Sequence, residues 1–339
     1  MGTDLNIGFC KKGALNLITD VCGVTVGHCT VNGENVNTGV TAILPHSGNT
    51  FTEKLIGAVH VINGYGKSVG LMQVEELGTV ETPIILTNTL SVGTASTALI
   101  KYMMKDNPHI GSKDGTVNPL VFECNDGGLN DIRGLHVKEE HVFSALKNTQ
   151  TVFEEGAVGA GTGMSCFGLK GGIGSASRLA RLDGKDYAVG VLVLTNFGSI
   201  DYLRIDGELV GNRIKEAVNA KTEADKGSVI VVLATDAPVN ERQLKRLCRR
   251  CGAGLARVGS YFGNGSGDIV IGFSTAQKLP HNCKNQILES KRLFENAMDK
   301  LFPLAAEATE EAVLSSLYHA KTTEGMGKTR YGLKDLKEF

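Results

Sequence analysis

The apolar residues of this chain fall into short runs separated by turn-forming residues. Eight runs predict strands: Val24–Val31, Gly39–Leu44, Ala58–Ile62, Pro83–Thr89, Leu120–Cys124, Tyr187–Phe197, Ser228–Thr235 and Asp268–Thr275. Several alternate apolar with small or polar residues, the pattern of a strand buried on one face. Val189–Leu194 and Val229–Leu233 are almost continuously apolar, the pattern of strands covered on both faces. Helical spacing of apolar positions predicts helices over Ser91–Met104, His136–Leu146, Asn240–Leu255, Asn285–Leu301 and Ala305–Tyr318. Asn240 stands where an N-cap is wanted, and Pro303 is expected to stop or kink the helix before it. The strands cluster early and late and do not alternate strictly with helices. That order favours sheets packed on one another with helices outside, over a doubly wound sheet. The charged stretch from Lys215 to Lys226 is the best candidate boundary: a linker, a surface loop or a region of cleavage.

Composition narrows the functional classes. The chain has 339 residues, 42% hydrophobic and 21% charged, with a net charge of -1. It has no basic field for nucleic acid or an anionic membrane. With no Trp and 6% aromatic residues it also has little to stack bases on. No apolar run approaches the length that spans a bilayer. The opening MGTDLNIGFCKKG has no apolar signal core, and Asn6 stands where myristoylation wants Ser or Thr. The cytoplasm is the expected compartment, and eight cysteines without scaffold spacing are expected to be reduced.

Several familiar motifs are incomplete. Gly64-Tyr65-Gly66-Lys67-Ser68 and Gly325-Met326-Gly327-Lys328-Thr329 end like phosphate loops, but Val61 and Thr322 occupy the positions of the first glycine. Cys248 and Cys251 share a helix face without the further ligands that zinc requires. His136 and His141 are five residues apart, off one helical face, and there is no G-x-S-x-G elbow. Other stretches carry more. Gly156 to Arg178 holds eight glycines in 23 residues, so it is expected to let other backbone approach and to present many N–H donors. Ser266-Gly267-Asp268 sets a hydroxyl and a carboxylate on either side of a glycine just before a strand, as a turn or as a pair converging on one point. Gly227-Ser228 places a hydroxyl at the threshold of the most apolar strand.

These pieces, in this order, resemble the L-aminopeptidase/D-esterase (DmpA-type) family, which includes β-peptidyl aminopeptidases. The resemblance runs from NLITDVCGVTVGHCT at Asn16–Thr30 through PIILTNTLSVGTAS, ECNDGGLNDIRG, GTGMSCFGLKGGIGSASR and TNFG to GSVIVVLATDAP and GNGSGDIVIGFST. It implies an α/β fold, a four-layer α-β-β-α sandwich resembling the N-terminal-nucleophile hydrolases with different connectivity, as one domain over 1–339. It further implies self-cleavage at Gly227-Ser228 into 1–227 and 228–339, with Ser228 as the nucleophile thus freed. By the same resemblance Asn196 is an oxyanion donor, and Ser266 and Asp268 support the nucleophile and its amine. Glu123 or Asp126 would hold the substrate's ammonium group. No metal or organic cofactor is implied, and the expected partners are a small peptide, amino-acid amide or ester and further copies of the cleaved pair. Gly128 departs from the family, which commonly has an aromatic residue there, so another group replaces its hydroxyl or the site is wider.

The chemistry of the residues agrees with that reading. A serine hydroxyl needs a base, and the sequence offers no convincing histidine. A freed α-amine, with a pKa of about 7.7–8.0, is attached to the same Cα as the hydroxyl. Gly227, lacking Cβ, permits close attack on its own carbonyl. Two alternatives differ in class: an acyltransferase of the ornithine-acetyltransferase type, and a non-catalytic homologue that never matures.

Overall fold

A computed structural model describes residues 7–218 and 227–336. Lys215 lies in the short helix α4 (Gly211–Ala217), and 219–226 of the charged stretch fall outside the described residues.

Two large sheets dominate. The first has the order β1 (Thr25–Gly33), β2 (Val36–Leu44), β5 (Ile84–Asn88), β6 (Leu120–Cys124). The second runs β4 (Thr79–Val80), β3 (Glu53–Gly64), β10 (Gly267–Pro280), β9 (Ser228–Thr235), β8 (Lys185–Asn196), β7 (Ile173–Leu182). Ile43, Leu86 and Phe122 of the first sheet meet Leu192, Ile230, Val232 and Ile271 of the second in an apolar layer. The first sheet's other face carries α2 (Val92–Asp106) and α3 (Glu139–Lys147), whose Ala95, Leu99, Val142 and Leu146 cover Val40, Ile85 and Val121. The second sheet's other face carries α5 (Glu241–Arg257) and α6 (Phe302–His319), with Leu244, Leu247, Ala312 and Leu317 over Val191, Val229, Val231 and Val270. The result is the α-β-β-α sandwich. β9 sends alternate side chains into both apolar layers, which is why its sequence is apolar at every position from Val229 to Ala234.

The chain path interleaves. β9 and β10 come from the last third of the sequence but lie between β8 and β3, which come from earlier parts. β9 is antiparallel to β8 and parallel to β10.

The structure departs from the sequence pattern in several places. Residues 282–294 are not helical, and only Glu295–Lys300 forms a 3-10 helix. Here the backbone bonds elsewhere: Lys291 N–H donates to the Gln277 side chain, Gln277 Nε2 donates to Lys291 O, and Leu293 N–H donates to Pro238 O. Ile287 stays 85% exposed, so no apolar face exists for a helix to bury. Pro303 sits in the first turn of α6, where its missing N–H costs nothing. β7 emerges from the glycine-rich stretch; the Asp183-Gly184 turn, with φ of 46° and 79°, joins it to β8 as a hairpin. The short helix α1 (Leu71–Leu77) and α4 carry too few residues for a periodic signal.

Charged groups also lie inside. Arg178 is fully buried and meets Glu311 at 2.6 Å and Glu307 at 3.3 Å, tying β7 to α6. Nearby, Glu155 accepts from Ser175 N–H of β7 and the Ser315 hydroxyl of α6. Burial lifts its carboxyl to about 7. Its folded pKa is raised, so its stabilising contribution is full below the unfolded value near 4.5 and is lost as pH rises through about 7. Glu155→Gln should therefore flatten the loss of thermal stability between about pH 5 and 8, measured by melting in matched buffers. A variant that loses as much stability over that range as the parent would contradict this.

Candidate active site

Three strands of the second sheet meet in register at one end. Asn196, the last residue of β8, pairs with Ser228, the first of β9; Ser228 pairs with Gly267, the first of β10. The apolar pattern of the three strands fixes this register, because a slip of one residue would turn every core side chain to the wrong face.

Ser228 is 7% exposed, and its Oγ accepts a hydrogen bond of 3.0 Å from Gly267 N–H. Its carbonyl accepts from the Cys124 thiol at 3.4 Å. Burial pushes that thiol well above its ordinary pKa, so it remains a donor. Just before Ser228, the chain passes so close to β8 that a Cβ at Gly227 would lie 1.7 Å from the Asn196 carbonyl oxygen. At Gly267 a Cβ would come within 3.0 Å of the Gly66 Cα and Tyr65 carbonyl. Both glycines are there for contact between backbones.

The Asn196 side chain is held at both ends. Its Oδ1 accepts from Ser165 N–H at 3.0 Å, and Nδ2 donates one hydrogen to Asn125 O at 2.9 Å. An amide nitrogen has two hydrogens, so one is left for a third partner. On the other side of Ser228, Ser266 Oγ donates to Asp268 Oδ1 at 2.6 Å, and both residues are fully buried. Asn63 Nδ2 of β3 donates to the Gly263 carbonyl at 3.0 Å and so holds the turn that leads into this pair.

Glu123 and Asp126 separate. Glu123 Oε1 accepts from Lys67 N–H at 2.8 Å and Oε2 from the Thr89 hydroxyl. A Cβ at Gly66 would lie 3.3 Å from the Ile269 Cδ1, 3.7 Å from Glu123 Oε1 and 3.8 Å from Gly267 Cα, so Gly66 lies close to both the carboxylate and the start of β10. Asp126 is fully buried and accepts from Asn130 Nδ2 at 3.0 Å, and burial lifts its carboxyl to about 6. Open space surrounds the position where a side chain at Gly128 would begin.

The structure thus gathers Ser228, Asn196, Ser266 and Asp268 at one end of three adjacent strands, with Glu123 across Gly66 and Asp126 turned inward. Sequence reasoning missed the backbone donors Ser165 and Gly267 and the Cys124 thiol. The phosphate-loop look-alike at Gly64–Ser68 is a wall of this site, its Lys67 N–H spent on Glu123. Gly325–Lys328 is a hairpin turn. Cys248 and Cys251 are both buried in the core.

A buried serine at the head of a central strand, paired across one side with Asn196 and receiving a backbone N–H from the other, is a candidate hydrolase site. The chain belongs to peptidase family S58, whose sequence model matches residues 16–330. It is 39% identical over 347 residues to the β-peptidyl aminopeptidase BapA of Sphingosinicella microcystinivorans, covering 95% of this chain and 86% of that one. Among solved structures it is similar to the PH0078 protein of Pyrococcus horikoshii OT3, at 51% identity and a TM-score of 0.93 over 97% of this chain and 94% of that one. It is also similar to the L-aminopeptidase D-Ala-esterase/amidase of Ochrobactrum anthropi, at 35% identity and a TM-score of 0.89, covering 97% and 94%. That enzyme is described as a prototype for the serine aminopeptidases and a variant of the Ntn hydrolase fold. The protein is accordingly a hydrolase, a serine aminopeptidase. No helix among the described residues is long and apolar enough to cross a membrane.

Gly227→Ala should lower folded stability by about 1–3 kcal/mol, because β9 must shift away from β8 at its first residue. Thermal or urea unfolding measures this, and an unchanged midpoint would show that the close approach at Asn196 is relieved at little cost.

Proposed function

We propose that Ser228 is the nucleophile of this aminopeptidase and that the chain frees it by cutting its own Gly227–Ser228 bond. The observation that carries this is the seat of Ser228 Oγ, against Gly267 N–H and opposite the Asn196 amide. In self-cleavage, Oγ attacks the Gly227 carbonyl carbon. The C–N bond breaks, the hydroxyl proton ends on the new amine, and Gly227 is left as an ester on Ser228. Water hydrolyses the ester, leaving a carboxylate on Gly227 and a free amine on Ser228.

Turnover repeats this chemistry on substrate. The Ser228 amine, near pKa ~7.7–8.0 in the absence of perturbation, takes the hydroxyl proton directly or through one water. Oγ attacks the first amide carbonyl, and the remaining Asn196 Nδ2 hydrogen donates to the tetrahedral oxyanion. The leaving amine takes the proton, and water hydrolyses the acyl-enzyme with the same amine as base. Ser266 and Asp268 orient the Ser228 amine. Glu123 receives the substrate's ammonium group, a role favoured by its place across Gly66 from Gly267. Asp126 braces the turn through Asn130.

The substrates are short peptides, amino-acid amides or esters. Peptides with an N-terminal β-amino acid are the first to assay, given the name of the BapA relative. The open space at Gly128 favours a wide site. The cut pair works as a homo-oligomer in the cytoplasm.

Intact mass of purified protein should show fragments of roughly 24 and 12 kDa from the 35.9 kDa chain, the smaller beginning Ser-Val-Ile-Val-Val. Ser228→Ala should remain one inactive chain; a cut or active variant would overturn the assignment. Asn196→Ala should lower kcat by about 10²–10³-fold, the usual loss of one oxyanion donor. A kcat within threefold of the parent would remove Asn196 from that role.

A further inference from the structure

Lys170 is fully buried, and its three ammonium hydrogens go to three backbone carbonyls: Gly161 at 2.9 Å, Met164 at 2.8 Å and Gly171 at 2.7 Å. None of these hydrogen bonds reaches a carboxylate. A buried ammonium is costly to keep, and burial here lowers its pKa to about 7. A methionine would fill similar space without that cost. The cation therefore does something that volume does not.

Its position shows what. The three carbonyls flank the small hairpin of Ser165–Cys166 and Leu169–Lys170. Gly161 O also accepts from Met164 N–H at 3.2 Å and Met164 O from Gly171 N–H at 3.1 Å, so the ammonium is a further donor that draws the three carbonyls to one point. The Met164 carbonyl is the telling one, because it belongs to the same peptide unit as Ser165 N–H. A trans peptide is planar, with its C=O and N–H pointing in opposite directions. Lys170 Nζ at 2.8 Å, together with the longer bond from Gly171 N–H at 3.1 Å, fixes the carbonyl and thus fixes the N–H toward Asn196 Oδ1, 3.0 Å away. A cation on the carbonyl also polarises the peptide and strengthens its N–H as a donor. The Asn196 amide needs this constraint. Rotated by 180°, it would present its oxygen to the reacting carbonyl instead of a hydrogen. Ser165 N–H at one end and the Asn125 carbonyl at the other permit only one orientation.

We propose that Lys170 is a positioning residue for catalysis: its ammonium sets the Met164–Ser165 peptide plane, which in turn aims the Asn196 amide at the oxyanion. This rests on the reading of Asn196 as the oxyanion donor. A double-mutant cycle tests the two separately. Lys170→Gln, Asn196→Ala and the double variant are assayed on an amino-acid amide, with kcat expressed per cut molecule as counted by intact mass. Where a variant stays uncut, the rate of self-cleavage takes the place of kcat. Lys170→Gln should lower kcat by about 10- to 100-fold and change KM less than about threefold, a fraction of the loss from one oxyanion donor. In the Asn196→Ala background the same substitution should change kcat less than about twofold. Should Lys170→Gln not fold, Lys170→Arg keeps the cation, displaces its donors and runs through the same cycle.

An equal loss in both backgrounds would make Lys170 a structural residue and overturn the proposal, as would a Lys170→Gln kcat within twofold of the parent. If Asn196→Ala alone leaves kcat unchanged, the oxyanion reading falls and the proposal with it. If Asn196→Ala is impaired and Lys170→Gln is not, only the proposal falls.

Discussion

The site depends on one registration of backbone. Asn196, Ser228 and Gly267 lie side by side on three neighbouring strands, and Gly227 passes against the carbonyl of Asn196 with no room for a side chain. Once that alignment holds, the serine hydroxyl meets the N–H of Gly267 and the asparagine side chain faces it from the other strand. The core enforces the alignment from a distance. Val229, Val231 and Leu233 fill one apolar layer and Ile230, Val232 and Ala234 the other, so a shift by one residue would misplace the whole strand. The alignment of Asn196, Ser228 and Gly267 is thereby set by hydrophobic side chains buried in the two layers.

Much of this was legible in the chain. Two-sided burial of Val229–Leu233 could be read from its lack of polar positions, and the layered sheets from the clustering of strands. Ser228, Asn196, Ser266 and Asp268 each stand at the end of a strand or in the turn before one, so the sequence pattern already placed them at boundaries. What could not be read has a common cause. Gly267 and Ser165 contribute backbone N–H groups, which every non-proline residue possesses and no side chain advertises. Asp126 and Glu123 look equivalent in ECNDGG, yet one turns into the Asn130 network and the other toward Gly66, a difference made by the chain's path after β6. The expected helix over Asn285–Leu301 failed because apolar spacing has no effect where no surface exists to cover it. β7 was hidden by glycines, although Asp183-Gly184 is a hairpin signal.

Buried charge serves two purposes in this fold. Around Arg178 it joins elements distant in sequence: Glu307 and Glu311 of α6 meet β7, and Glu307 also accepts from the N–H groups of Phe9 and Cys10. Removing one member of such a cluster strands the others without water, so the cluster specifies which surfaces fit together more than it adds net stability. Lys170 has no such ionic partner among its hydrogen bonds. It organises peptide dipoles within a single turn, a more local task.

The interleaving of β9 and β10 between β8 and β3 bears on what the proposed cut at Gly227–Ser228 would do to the molecule. The smaller piece would supply two inner strands of a sheet whose outer strands belong to the larger piece. Neither can depart without exposing the apolar layers on both faces of the sheet. Assembly of the same architecture from the two separated pieces would be second order in concentration, whereas folding of the uncut chain is a first-order event. Cleavage would leave the native contacts in place and remove the easy route back to them. The mature enzyme's persistence would then be governed by how slowly it opens, and the precursor is the form in which the fold is most readily acquired.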